Sequence, residues 1–321
     1  MTSSSVAAPT LTPAGHTSMF VNGQFPQRKT LIFLASLIAG FFLAYAWSAT
    51  LVDEQIGFNT ADTLLGHNAN ATPIGGIASG ILFAFVTGLA GSFTACNIAC
   101  FGAVGPLVGQ AETRRGRFGQ TIRPLGWLAA GMIPVSAVYG AIVGIVGTRM
   151  PQFSTAHTSG LSPRAIQSMI AFGLVGVVMI VLGLAALGIV KDPLGPVSRR
   201  FPNAPLVLVG ALIGGFLIGR PYPLFEDMFR SAANSHDPFY GAVAFALQSV
   251  GNIIVMSVLF LILSYGLGGR VQRWLAEKPS RTSVLTAAAF IIAGMFAVVY
   301  WDLRALHGVG DIWFPTAPWN S

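Results

Sequence analysis

The chain's only two cysteines, Cys96 and Cys100, lie four residues apart in 91-GSFTACNIACFGAVGPL-107. On a regular helix this spacing puts two thiols on one face, about 5–6 Å apart. Two thiolates so placed suit joint ligation of one soft metal ion. A disulfide wants Cβ atoms about 3.8 Å apart, which a helix broken around Gly102, Gly105 and Pro106 allows more readily than an ideal one. Apolar burial keeps a thiol inert, whereas water or a helix N-terminus favours the reactive thiolate. Redox, metal and inert roles therefore all remain open for the pair, with Asn97 between them.

A second group of polar residues begins at 219-GRPYP-223 and continues through Glu226, Asp227 and Arg230. Arg220 follows an apolar run shorter than the roughly 20 residues that cross hydrocarbon. At membrane depth an arginine needs a partner, and Glu226 or Asp227 stands nearest; the plainer reading has Arg220 reaching the interface as an anchor. Tyr222, between two prolines, is placed to line the same cavity. Gln248 and Asn252 share a helix face by their i, i+4 spacing, turned either to a cavity or to a neighbouring helix. Pro134 marks an expected kink without chemistry. His67, His157, His236 and His307 lie outside the apolar runs and show no paired ligand spacing. The Asn70-Ala71-Thr72 sequon is unspecific.

The elements that position these residues follow from composition. Hydrophobic residues make up 53% of the 321 and charged ones only 9%, against about a quarter charged in soluble domains. Mean hydropathy is +0.68. The chain therefore reads as an integral membrane protein, all-α and polytopic. Apolar stretches fall at about 31–52, 74–100, 124–148, 166–190, 205–221, 240–268 and 284–301, which predicts seven transmembrane helices. Residues 1–30 read as a disordered tail, polar and rich in Ser, Thr and Pro, with no secretory signal. Residues 302–321 read as a second, C-terminal tail.

Basic residues set the orientation. The N-terminal tail and the segments 109–123, 191–204 and 269–282 hold 13 of the 18 Lys and Arg, while the alternate segments hold five of them and eight of the eleven acids. This predicts a bacterial inner-membrane protein with a cytoplasmic N-terminus and an external C-terminus. It also accounts for the net charge of +7 as a topology signal, so nucleic acid is excluded as a partner and membrane lipid is the medium.

Beyond the first span, six helices divide at 191-KDPLGPVSRRFPNA-204 into a core of two halves, about 74–190 and 205–301, of opposite orientation. Each half opens with a Gly-rich helix that runs into a breaking cluster, 88-GLAGSFTACNIACFGAVGP-106 and 214-GGFLIGRPYPLF-225. Interrupted helices at matching places are the sequence mark of an inverted repeat with a site near the midplane. The expected fold is one N-terminal helix plus a 3+3 inverted-repeat core.

This layout, with TACNIACFGAVGP in the first core helix, resembles the CcdA/DsbD transmembrane family over about residues 74–301. The resemblance implies a thiol-disulfide oxidoreductase that passes reducing equivalents from a cytoplasmic thioredoxin-like protein to an external thioredoxin-like or maturation protein, as in cytochrome c biogenesis. Cys96 matches the family's first cysteine. The second half, IGRPYPLF, lacks the other one, so Cys100 is the only thiol left to pair with it. On this reading Cys96 and Cys100 are catalytic and no cofactor is required. Two other functions fit the same residues. One is a transporter of a metal ion or small sulfur-containing anion, with Cys96 and Cys100 as soft ligands and Arg220 neutralising charge. The other is a non-catalytic assembly factor. CxxC and Walker sequences are absent from the chain, as is any histidine pair within a span, which argues against a fused thioredoxin module, an ATP-driven pump and a haem carrier.

Overall fold

A computed structural model describes residues 18–48, 50–69, 74–92, 114–154, 160–219, 223–266, 273–275, 277–278, 280–315 and 317–320. Among the described residues there are helices and no strands. Among the described residues five helical stretches are long and apolar enough to cross a membrane: Lys29–Ala46, Ile122–Arg149, Pro163–Ala186, Pro238–Ile262 and Ser280–Gly308. Ile77–Ala90 and Ala204–Gly219 are apolar but shorter. These two stand where the second and fifth expected spans were placed. The first stops in the glycine-rich stretch, where Gly91 donates its amide to the Thr87 carbonyl at 2.8 Å. The second is described as far as Gly219, and beyond it the sequence sets Pro221 and Pro223, which carry no backbone donor.

The first span also ends earlier than its apolar run, at Ala46, and the chain continues as a π-helical stretch Thr50–Phe58 containing Asp53 and Glu54. The last span is longer than expected. Its α-helix Ser280–Ala297 passes through a π-helical stretch Val298–Leu303 into Arg304–Gly308, so Asp302 belongs to the helix and not to a tail.

We label the helices α1 (Lys29–Ala46), α2 (Asn59–Leu65), α3 (Ile77–Ala90), α4 (Arg114–Val146), α5 (Pro163–Ala186), α6 (Gly195–Arg200), α7 (Ala204–Gly219), α8 (Pro223–Ser235), α9 (Pro238–Gly266), α10 (Ser280–Ala297) and α11 (Arg304–Gly308). The helix α4 continues through both Pro124 and Pro134. It packs extensively on α9; α3 lies on α9, α7 on α4, and α5 on α10.

Apolar helices gain little from burying apolar surface against one another inside lipid, so they associate through small residues that let backbones approach. Glycines carry each of these contacts. A methyl group on Gly88 of α3 would overlap the Gln248 carbonyl of α9, and one on Gly251 of α9 would overlap the Phe85 carbonyl of α3. Between α4 and α7, Gly210 meets the Leu128 carbonyl and Gly131 the Val207 carbonyl. Gly140 and Gly241 approach each other reciprocally between α4 and α9. Between α5 and α10, a Cβ on Gly176 would lie 2.8 Å from the Gly294 carbonyl, and one on Gly294 2.5 Å from the Gly176 carbonyl.

Helix α1 packs on α10, where Gly40 faces Ile292 and Met295, and leaves Leu34, Ile38 and Phe42 exposed as a lipid-type face. Within the N-terminal tail, the segment from Ser18 on folds onto the bundle. The Ser18 amide donates to Asp192 at 2.5 Å, and the buried Phe20 ring meets Phe290 edge-on at 5.1 Å. Lys29 donates to the Gly188 carbonyl that closes α5, at 3.0 Å.

Candidate functional site

Of the residues singled out in the sequence, Cys96, Asn97, Cys100, Pro106, His157, Arg220 and Tyr222, with the sequon at 70–72, lie outside the described residues. The flanks of 93–113 and 220–222 are described, and they meet. The final turn of α3 puts Gly91 against Phe225, whose ring would lie 2.5 Å from a Cβ there. Phe225 stands in the first turn of α8, directly after the 220–222 segment, and is fully buried. One turn further on, the Thr87 hydroxyl donates to Ala84 at 2.7 Å and lies 3.8 Å from the Met228 sulfur. Thus the chain enters segment 93–113 from a point in contact with the residues that leave segment 220–222.

Pro221 and Pro223 have no amide hydrogen, so the carbonyls of Leu217 and Gly219 lack their i+4 donors, and in an apolar setting such groups need others. Helix α5 supplies donors at this end. Gln167 Nε2 donates to the Ile218 carbonyl at 2.5 Å and to the Tyr139 hydroxyl at 2.9 Å, and Ser168 Oγ donates to the Gly219 carbonyl. The Tyr139 hydroxyl of α4 donates onward to Gln152 Oε1. Gly219 itself leaves room for the Phe172 ring, 2.8 Å from a Cβ placed there. The Gln152 amide nitrogen is buried with no hydrogen-bond partner, beside a pocket of about 10 Å³ that also touches Arg164, Gln167, Ser168 and Glu226. That is room for about one water.

Glu226 stands nearby but is engaged by other arginines. Its Oε1 accepts from Arg230 Nη2 at 2.5 Å, and its Oε2 lies 3.5 Å from Arg164 Nη2. Asp227, beside it, has its carboxyl pushed above the usual range, first by burial and then by the Glu226 charge, with Arg230 opposing.

Gln248 and Asn252 are both buried, at 2% and 6% exposure. The backbone carbonyl of Gln248 seats Gly88, and its side-chain oxygen accepts a long bond from Ser249 Oγ at 3.4 Å. Ser249 also donates to Ser136 of α4 at 2.6 Å, a fully buried hydroxyl pair at the α4–α9 contact. Asp302 turns its carboxylate towards Gly173 of α5, where a Cβ would lie 2.8 Å from Oδ2, and Oδ1 is buried without a partner.

The polar cluster at the end of α7 is built from Tyr139, Gln152, Gln167 and Ser168, none of which the motif reading selected. Gln167 and Ser168 carried the same signal as Gln248, a polar side chain inside an apolar run. What spacing does not give is which backbone end they would meet, because α5 and α7 are joined by a long connection. Among the described residues no three His, Cys, Asp or Glu side chains are grouped to hold a metal ion. No protein-family model, curated protein or solved structure matches this chain.

Proposed function

We propose that the chain is an inner-membrane carrier built on an inverted repeat, which moves a small sulfur-containing anion through a site at the two helix breaks. The observation that carries this reading is the register of the glycine contacts. In α3 and α9, Gly88 meets the carbonyl three residues before Gly251, and Gly251 meets the carbonyl three before Gly88. In α7 and α4, Gly210 meets the carbonyl three before Gly131, and Gly131 the carbonyl three before Gly210. Pairing α3 with α7, α4 with α9 and α5 with α10 equates Gly88 with Gly210, Gly131 with Gly251 and Gly176 with Gly294. The separations are 122 residues (88 to 210), 120 (131 to 251) and 118 (176 to 294). Near-constant spacing and identical registers are what two three-helix units of opposite orientation would give. With α1 and the two short helices counted, the seven expected spans follow.

A separation of 122 carries position 96 to 218 and position 100 to 222, so Cys96 and Cys100 correspond to Ile218 and Tyr222. Cys96 and Asn97 thus fall in sequence at the counterparts of Ile218 and Gly219, whose carbonyls Gln167 and Ser168 cap. Neutral thiols at Cys96 and Cys100 would offer an anion weak S–H donors, and a guanidinium at Arg220 would neutralise it between the breaks. The distribution of basic residues supports a cytoplasmic N-terminus.

The test is counterflow of radiolabelled thiosulfate in proteoliposomes holding the full chain. Saturable exchange that drops at least about tenfold in Arg220→Gln, a loss on the scale of one charge-assisted contact, and by a smaller factor in Cys96→Ala, is expected. Exchange indifferent to both substitutions would overturn the anion site. The CcdA/DsbD-type reading, a thiol-disulfide carrier between a cytoplasmic thioredoxin-like reductant and an external maturation protein, is favoured by one observation: both thiols of the chain share one break. It predicts a Cys96–Cys100 disulfide in acid-trapped membranes that a cytoplasmic reductant opens.

A further inference from the structure

A cleft of about 350 Å³ lies between the start of α5 and the end of the last helix. Ser162, Arg164 and Ser168 line it from α5; Tyr300, Trp301 and Arg304 line it from the other side. Its volume is in the range of small-ligand pockets. None of its described lining residues is acidic.

The charges around it leave a positive excess. Glu226 is shared between Arg164 and Arg230, and Asp227 also feels Arg230, so these four groups sum to one positive charge with Asp227 protonated and to none with it ionised. Arg304 adds one more and forms no ion pair among the described residues; its guanidinium is held instead over the Tyr300 ring, 5.1 Å from its centre. Trp301 is fixed by stacking on Phe172 at 4.4 Å and 16°. The nearest carboxylate in sequence, Asp302, faces Gly173 of α5 and is not part of the lining. Two guanidinium forks on low-dielectric aromatic walls concentrate anions and bind oxyanions bidentately. Ser168 joins this cleft to the helix break, since it lines the cleft and also donates to Gly219, the last described residue before 220–222.

We propose that the cleft binds a small oxyanion between Arg164 and Arg304, as the vestibule of the path to the break at 220–222. Its role as a vestibule rests on the carrier reading; the binding does not. The recognised chemistry, a tetrahedral or near-tetrahedral oxyanion, is shared by a free anion and an anionic lipid headgroup.

The test is thermal unfolding of the full chain in detergent, with sodium sulfate compared against sodium chloride at equal ionic strength, and with short-chain phosphatidylglycerol added to the micelles as a separate arm. Sulfate is expected to raise Tm by about 2–4 °C at ten times its Kd. That rise should vanish in Arg304→Gln and survive in part in Arg304→Lys, which keeps the charge but loses the fork. A rise with the lipid alone, again lost in Arg304→Gln, keeps the site and assigns it to a headgroup. Equal Tm in sulfate and chloride with no lipid response, or a response unchanged by Arg304→Gln, overturns the proposal. Thiosulfate counterflow separates the two readings. Oxyanion binding without flux would remove the carrier and leave the cleft, whereas flux with an unaltered KM in Arg304→Gln would remove the vestibule role and leave the carrier.

Discussion

Gln167 shows how a single side chain can hold an interrupted helix open to polar chemistry. Its amide donates to the Ile218 carbonyl at 2.5 Å and to the Tyr139 hydroxyl, which reaches the same carbonyl only at 3.4 Å, so Gln167→Leu leaves that acceptor its long bond alone. The expected cost is about 1–3 kcal/mol, measured as a lower Tm in detergent; Tyr139→Phe, which keeps the shorter bond to the carbonyl, should cost less. An unchanged Tm in Gln167→Leu would mean that water replaces the amide. Asp227 gives a pH dependence of definite sign. Burial raises its carboxyl in the folded chain, so the folded state binds this proton more tightly than the unfolded state. Stability from this group is complete below the ordinary carboxylate range and is lost as pH rises through the raised folded value. Asp227→Asn should therefore raise Tm at neutral pH, with the gain fading as the solution is acidified towards the ordinary carboxylate range. A gain that is constant with pH would contradict this origin.

The helices are held by close backbone approach, and substitution at a few positions tests that directly. Gly88→Ala and Gly210→Ala each drive a methyl group into a facing backbone carbonyl, of Gln248 and Leu128 respectively. Backbone cannot yield as a side-chain tip does, so each should cost at least about 1–3 kcal/mol, and the two losses should be alike if the contacts are equivalent. Gly126→Ala in α4 meets nothing within 4 Å and should be neutral or gain up to about 1 kcal/mol of helix propensity. Folded yield by size-exclusion chromatography compares the three. Much at this scale was legible in the sequence: helices by their apolar length, and the end of α3 by its glycine-rich cluster. The ends were less so. Asp302 read as the start of a tail because a carboxylate is costly in a span; in the structure the π-helical stretch turns it towards the gap left by Gly173. The long apolar run 74–100 likewise concealed that α3 ends at Ala90, since apolar content measures length and not continuity.

For the whole molecule, sequence marked the two breaks as counterparts, but not the groups that surround the second. The capping donors come from α4 and α5, with Gln152 accepting from Tyr139, brought together by packing that pairs distant segments. The account's central claim is that the breaks form one site reached in turn from both faces of the membrane. Labelling of Cys96 in a Cys100→Ser background, with a membrane-impermeant maleimide applied to right-side-out and to inverted vesicles, tests this most directly. The account predicts reaction from both faces, with each rate reduced by the transported anion. Labelling from one face only, or from neither, would contradict it.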